Sequence, residues 1–229
     1  MPQLELIKEI DIEETPFSSL YFNNGVLFGV DSYHSDMSII SPSGEILHNF
    51  NLGFEEENQF VFSKSAELPS GVYVSSFESS NVCQKTKHEI RMRDEYEDQG
   101  HYEVLFRSDD WLTDRFAVNS LGHIYILEGN NVKIYRDANN LKYEGGVAKY
   151  ELDTIHTSEE RLTHIAIDEN DTIFLVEGGK LKIYNSDFTQ QYESPLSDEI
   201  EEYYSILCAN HRLYVTKEEN SFCVYHIKY

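Results

Sequence analysis

Short apolar runs bounded by polar turns recur along this chain at a nearly regular interval. The clearest are GVLFGVD at 25–31, GVYVSSF at 71–77, HIYILEG at 123–129, TIFLVEG at 172–178 and RLYVTKE at 212–218. Their starts lie 46, 52, 49 and 40 residues apart. Each is preceded by another apolar run (SSLYF, QFVFS, RFAVN, HIAID, YSILC) and followed by a third (MSIIS, HEIRMR, VKIYR, LKIYN, FCVYH). Runs this short, rich in β-branched and aromatic residues, predict strands. Fourth strands are predicted in EILHNFNL, HYEVLFRS, KYEGGVAKYEL and, least regular, QQYESPL. The segment 88–100 lacks a continuous apolar stripe and fits a long hairpin as well as a helix.

Two of these units match almost residue for residue: RFAVNSLGHIYILEGNNVKIYR at 115–136 and HIAIDENDTIFLVEGGKLKIY at 164–184. Self-similarity at 40 to 50 residues is the signature of propeller blades. The expectation is therefore an all-β fold, a five-bladed β-propeller of four-stranded antiparallel blades, in one domain over 1–229. The blades are placed at about 17–52, 59–108, 115–152, 162–196 and 203–229. The last has only three strands before Tyr229, and LELIKEIDIE at 4–13 is an unpartnered strand at the other end. Adding it to the last blade closes the ring. Turn residues at Asn23-Asn24-Gly25, Ser43-Gly44, Leu121-Gly122 and Gly178-Gly179 fall where strands must reverse.

The third and fourth units resemble NHL and related YVTN-type propeller repeats. The likeness rests on Ala117-Val118-Asn119 with His123-Ile124-Tyr125-Ile126, and on Ala166-Ile167-Asp168 with Thr172-Ile173-Phe174-Leu175. Each is followed by a Lys-Ile-Tyr third strand. The resemblance implies a binding platform. Some relatives of this kind bind RNA through basic faces, and this chain has no such face.

Charge sharpens that point. Against 18 Lys and Arg stand 41 Asp and Glu, a net charge of −23. Such a chain repels phosphate backbones instead of displacing their counterions, which excludes direct nucleic-acid binding. The sequence lacks an apolar run near 20 residues and a basic, apolar leader, so neither a membrane span nor a secretory signal is expected. Three cysteines without tight spacing suggest thiols in a reducing cytoplasm.

In a propeller the connectors between blades emerge on the same face as the turns between second and third strands. The five connectors read DIEETP at 11–16, GFEEENQ at 53–59, SDDWLTD at 108–114, DTIHTSEE at 153–160 and SDEIEE at 197–202. They hold 16 carboxylates and no Lys or Arg. The expected partner-binding residues are Glu13, Glu14, Glu55, Glu56, Glu57, Asp109, Asp110, Trp111, Asp114, Glu159, Glu160, Asp198, Glu199, Glu201 and Glu202. Phe54, Trp111 and Ile200 either anchor a partner or pin the connectors to the blades. An acidic face steers a basic partner electrostatically. The expected function is a non-catalytic, protein-binding propeller, monomeric when free. An inhibitor or immunity-type protein against a nuclease or other nucleic-acid-handling enzyme fits that description.

The alternative is a glycan-binding or glycoside-hydrolase-like propeller. It would use Asp31, Glu128, Glu177 or Asp168 as paired carboxylates, or Tyr33, Tyr73, Tyr125 or Tyr214 as stacking platforms. Glu128 and Glu177 occupy equivalent places in two repeats, which favours a structural role for both. There is no zinc-hydrolase pattern among the nine His, no calcium loop, no phosphate loop and no nucleophile elbow. No cofactor or metal is expected; Asp168-Glu169-Asn170-Asp171 reads as a plain turn.

Overall fold

A computed structural model describes residues 2–11, 19–23, 26–31, 36–41, 45–51, 65–67, 73–77, 81–85, 103–107, 115–137, 150–189, 191–194, 205–218 and 221–229. Strand β1 (Gln3–Asp11) opens the chain. The first sheet follows, with β2 (Ser19–Asn23), β3 (Val26–Asp31), β4 (Asp36–Ile40) and β5 (Ile46–Asn51). The second holds β6 (Ser65–Glu67), β7 (Tyr73–Phe77), β8 (Asn81–Lys85) and β9 (Glu103–Arg107). The third holds β10 (Phe116–Val118), β11 (Ile124–Glu128), β12 (Asn131–Asp137) and β13 (Tyr150–Thr157). The fourth holds β14 (Leu162–Ile167), β15 (Ile173–Glu177), β16 (Lys180–Tyr184) and β17 (Gln191–Glu193). The fifth holds β18 (Ile206–Ala209), β19 (Arg212–Glu218) and β20 (Ser221–Lys228).

Among the described residues these strands form five four-stranded antiparallel sheets. Four run in chain order, and the fifth runs β1-β20-β19-β18. The predicted N-terminal partner of the last three strands is therefore in place, from Gln3 opposite Lys228 to Asp11 opposite Ser221. First strands of successive sheets pack together: β10 on β6, β14 on β10, β18 on β14, and β2 on β18.

The core lies between sheets, because alternate residues of a strand point to opposite faces. On β15, Ile173 and Leu175 face the third sheet, where they pack with Tyr125, Leu127, Val132 and Ile134. Their neighbours Phe174 and Val176 face the fifth sheet and meet Leu213, Val215, Cys223 and Tyr225. Tyr214, Phe222 and Val224 point the other way, onto Leu20, Leu27 and Ile40 of the first sheet, with Ile10 of β1 among them. A strand buried on both faces reads as a continuous apolar run, which is why the second strands were the clearest markers in the sequence.

Three strands depart from the sequence reading. The third strand of the second sheet is Asn81–Lys85, paired with β7 from Phe77↔Asn81 to Tyr73↔Lys85. HEIRMR at 88–93, expected in that role, lies outside the described residues, as does QFVFS at 59–63. The first strand of that sheet is Ser65–Glu67. Neither SAE nor NVCQK has enough apolar positions to stand out by periodicity. In the third sheet the outer strand continues to Thr157, beyond the expected end at 152, and takes in residues 153–157 of the expected connector. It was missed because it is a solvent-facing edge: Leu152, Asp153, Thr154 and Ile155 are all exposed.

Outer strands share a further irregularity. In four sheets one extra residue interrupts the pairing of the outer strand with its neighbour: Ile7 in β1, Leu47 in β5, Leu105 in β9 and Asp153 in β13. In β1, β5 and β13 the bulge falls between the fourth and fifth rungs from the hairpin.

The role of β1 gives a direct test. Ile10 is buried against Leu20 and Phe222, whereas Leu6 is exposed. Ile10→Ala is expected to lower the unfolding free energy by about 2–4 kcal/mol. Leu6→Ala should change it by less than about 0.5 kcal/mol. Equal effects in urea denaturation would show that β1 does not carry the fifth sheet's core.

Candidate functional site

The site is built from two hairpin turns and the connector between them. In the third sheet, Glu128-Gly129-Asn130-Asn131 reverses the chain from β11 to β12, and in the fourth, Glu177-Gly178-Gly179-Lys180 does so from β15 to β16. Gly178 and Gly179 both have positive φ, 58° and 76°, which glycine adopts without steric cost. Gly178 has a second reason to be glycine: a Cβ there would run into the carboxylate of Glu160.

Residues 158–161, the link from β13 to β14, lie between these turns and are bonded to both; an exposed Arg161, just past the predicted connector, follows its two acids. The Ser158 amide donates to the Asn130 carbonyl at 2.8 Å, and the Leu162 amide to that of Gly129 at 3.4 Å. On the other side the Gly178 amide donates to the Arg161 carbonyl at 3.0 Å. The Ser158 hydroxyl donates to Glu177 and accepts from the Glu160 amide at 2.9 Å. Glu159 and Glu160 are thereby held exposed on an anchored backbone.

Glu177 beneath them is only 5% exposed. Tyr184 donates its hydroxyl at 2.6 Å, Lys182 lies at 3.3 Å, and Ser158 completes the set. Burial alone pushes this carboxyl up, but the three donors outweigh it and hold it below its ordinary value. Tyr184 is pushed up by burial and by its bond to Glu177. Next to it the His156 ring stacks on Phe188 at 4.2 Å and meets Tyr184 edge-on at 5.5 Å. Burial lowers the His156 pKa, so the ring favours its neutral form. Glu128 is engaged in the equivalent way by Lys133. Both glutamates thus pair with the lysine five residues on, as their equivalent places suggested.

The opposite face carries the turns between first and second strands. There Asp171 accepts from the Ser120 amide at 2.7 Å and hydroxyl at 2.8 Å. Glu169 accepts from the His211 amide at 2.8 Å and pairs with its ring nitrogen at 2.6 Å. The third and fourth sheets are thus tied at both ends of their strands, and the fourth and fifth at this one. Asn210 and His211 both have positive φ, 51° and 56°, and the second of these strained residues is the one that Glu169 holds.

Of the expected partner-binding residues, Glu159 and Glu160 lie together on the connector just described. Glu13, Glu14, Glu55, Glu56, Glu57, Asp109, Asp110, Trp111, Asp114, Asp198, Glu199, Glu201 and Glu202 lie outside the described residues, as do Phe54 and Ile200. Of the aromatic candidates for a glycan, Tyr125 and Tyr214 are core residues, each 2% exposed, and so offer no stacking platform. Asp168 is buried and organises a turn, its Oδ1 accepting from the amides of Asn170 and Thr172. Ser158, Lys182 and Tyr184 were not expected as a site; the repeated Glu–Gly turn and the Lys-Ile-Tyr strand that follows it were the signals toward them. Among the described residues no group of three or more His, Cys, Asp or Glu is placed to hold a metal ion, and no helix is long and apolar enough to cross a membrane.

No family model matches the chain, and no curated protein matches it. Solved structures do. Virginiamycin B lyase from Staphylococcus aureus aligns over 95% of this chain and 82% of its own, with a TM-score of 0.56 and 11% identity. The β-propeller domain of Cps50 (Swd1) from Myceliophteria thermophila aligns over 100% of both chains, with a TM-score of 0.60 and 9% identity. A streptogramin B lyase aligns over 100% of this chain and 88% of its own, with a TM-score of 0.51 and 12% identity. The fold is that of a β-propeller. The likeness of the third and fourth units to NHL-type repeats agrees with this. At such identities the comparison concerns the propeller fold and carries no activity across.

The Glu177 cluster gives a pH test. Its folded pKa lies below the ordinary 4.5, so its stabilising contribution is present above that value and is lost as pH falls through the depressed one. Glu177→Gln is expected to cost about 1–3 kcal/mol at neutral pH. The difference from the parent should shrink on acidification below about pH 4.5. A cost that stays constant to about pH 3 in thermal unfolding would remove the carboxylate from the account.

Proposed function

We propose that the five sheets are the blades of one closed ring, with β1 completing the last blade, and that its acidic connector face binds a basic protein without catalysing a reaction. The observation that carries this reading is the pair Glu159 and Glu160, held exposed on a hydrogen-bonded connector in a chain of net charge −23. A backbone already held in place loses little freedom when a cation pairs with its carboxylates. Long-range attraction speeds the encounter. Three acids suggested by the glycosidase alternative have structural work: Glu128 and Glu177 are engaged by lysines, and Asp168 organises a turn. Their engagement favours binding over chemistry.

The partner class that fits is a protein whose working surface is basic, such as a nuclease or another nucleic-acid-handling enzyme. The protein would act on it as an inhibitor or immunity-type cover, in the cytoplasm and as a free monomer. Capture from native lysate should yield a basic protein at about 50 mM salt that is lost at about 500 mM. With that partner in hand, Glu159→Lys/Glu160→Lys should slow association about tenfold or more while leaving the fold intact. An association rate insensitive both to salt and to the double reversal would overturn the reading.

A further inference from the structure

The turns between first and second strands in the third and fourth sheets share one hydrogen-bonding plan, and two of the positions at which they differ decide how the buried side chain is satisfied. In the third, Asn119 Oδ1 accepts from the amides of Leu121 at 3.1 Å and His123 at 2.8 Å. Its Nδ2 donates to the Tyr125 hydroxyl at 3.4 Å and lies 3.5 Å from His123 Nδ1. In the fourth, Asp168 stands in the place of Asn119, and its Oδ1 accepts from the amides of Asn170 and Thr172, both at 2.9 Å. Phe174 stands in the place of Tyr125. Asp168 Oδ2 is left without a hydrogen-bond partner in a side chain only 5% exposed.

The charged groups around it do not compensate. Glu169 and Asp171 flank the residue on its own turn, His211 approaches from the β18–β19 turn, and Tyr229 follows β20. Glu169 is occupied by His211, and Asp171 by Ser120 of the β10–β11 turn. The Tyr229 hydroxyl lies 3.4 Å from that of Thr172. The charge of Glu169 adds to the cost of a second anion beside it.

We propose that Asp168 is a proton-binding site built into the fold, whose turn is most stable when the carboxyl is neutral. An isolated carboxylate oxygen at this depth costs free energy as an anion and much less as an acid. Burial pushes the carboxyl up and prevails over the amides of Thr172 and Asn170 and the Thr172 side chain, which pull it down. With the folded pKa above the unfolded one, the stabilisation is present in full below the unfolded pKa and is lost as pH rises through the folded pKa. The same turn carries Asp171 and Glu169, the links to the third and fifth sheets, so the proton at Asp168 bears on both junctions.

The test is thermal unfolding of the parent and Asp168→Asn across pH, where taking the difference cancels the other acids. The variant should gain a several-fold larger folded-to-unfolded ratio at about pH 8, and the gain should vanish by about pH 4. Amide-exchange protection at Ser120 and His211 should rise in the variant at the higher pH. A difference independent of pH, or a loss of stability at pH 8 with a folded variant, would overturn the proposal. Should Asp168→Asn fail to fold, Phe174→Tyr carries the test, because it offers Oδ2 the hydroxyl that Tyr125 supplies to Asn119. It should stabilise the anion and flatten the stability profile at the alkaline end relative to the parent. A profile parallel to the parent's would overturn the proposal equally.

Discussion

The structure depends on burying second strands such as β11, β15 and β19 from both sides. A four-stranded antiparallel sheet cannot shield two apolar faces by itself. The chain meets this constraint by setting each sheet against the next, so that one strand serves two interfaces. On β15, Ile173 and Leu175 belong to one interface and Phe174 and Val176 to the other. Each fully buried side chain of this size contributes about 1.5–3 kcal/mol. A methylene lost from β15 is therefore felt by both neighbours. The polar positions are left with the ends of the strands, where the backbone turns.

The two ends of β15 show how partners decide the chemistry of a buried acid. Near one end Glu177 is reached by a serine, a tyrosine and a lysine, and the donors outweigh burial. Beyond the other, Asp168 receives two amides on Oδ1 and is reached by the Thr172 side chain, and burial with the charge of Glu169 prevails. The two residues are equally exposed, at 5% each. What separates them is the neighbouring charge: Lys182 stands beside Glu177, whereas Glu169 repels an anion at Asp168. A single repeat thus holds two carboxylates displaced in opposite directions.

The sequence announced the parts of the fold that bury both faces. The runs at 123–129, 172–178 and 212–218 contain second strands found where the pattern put them, and the pairing of β1 with β20 was legible from an unmatched run at each end of the chain. Strands near the rim were harder to see. Tyr150–Thr157 faces solvent along most of its length, so its residues are selected for exposure and read as a loop. Asn81–Lys85 is recognised only through its pairing with β7. The Glu–Gly repeat flagged Glu128 and Glu177 correctly as structural. Lys182 and Tyr184 belong to the repeated Lys-Ile-Tyr strand, but Ser158 comes from the preceding connector, and no local pattern joins it to them. Asp168 looked like an ordinary turn residue, because its burial and unpartnered oxygen appear only once the chain is folded.

The bulges along the rim have a consequence for how copies of this protein meet at high concentration. A cross-β fibril grows when a long, regular edge offers six or seven consecutive residues for in-register stacking. Here the extra residues at Ile7, Leu47, Leu105 and Asp153 leave at most four unbroken rungs on any of those outer strands. The exposed aliphatics Leu6, Ile7, Leu47 and Leu152 sit on or beside these interruptions. The positions most inviting to a stray strand are those where its register would break, and the rim discourages fibril growth by the same irregularities that shape its outer strands.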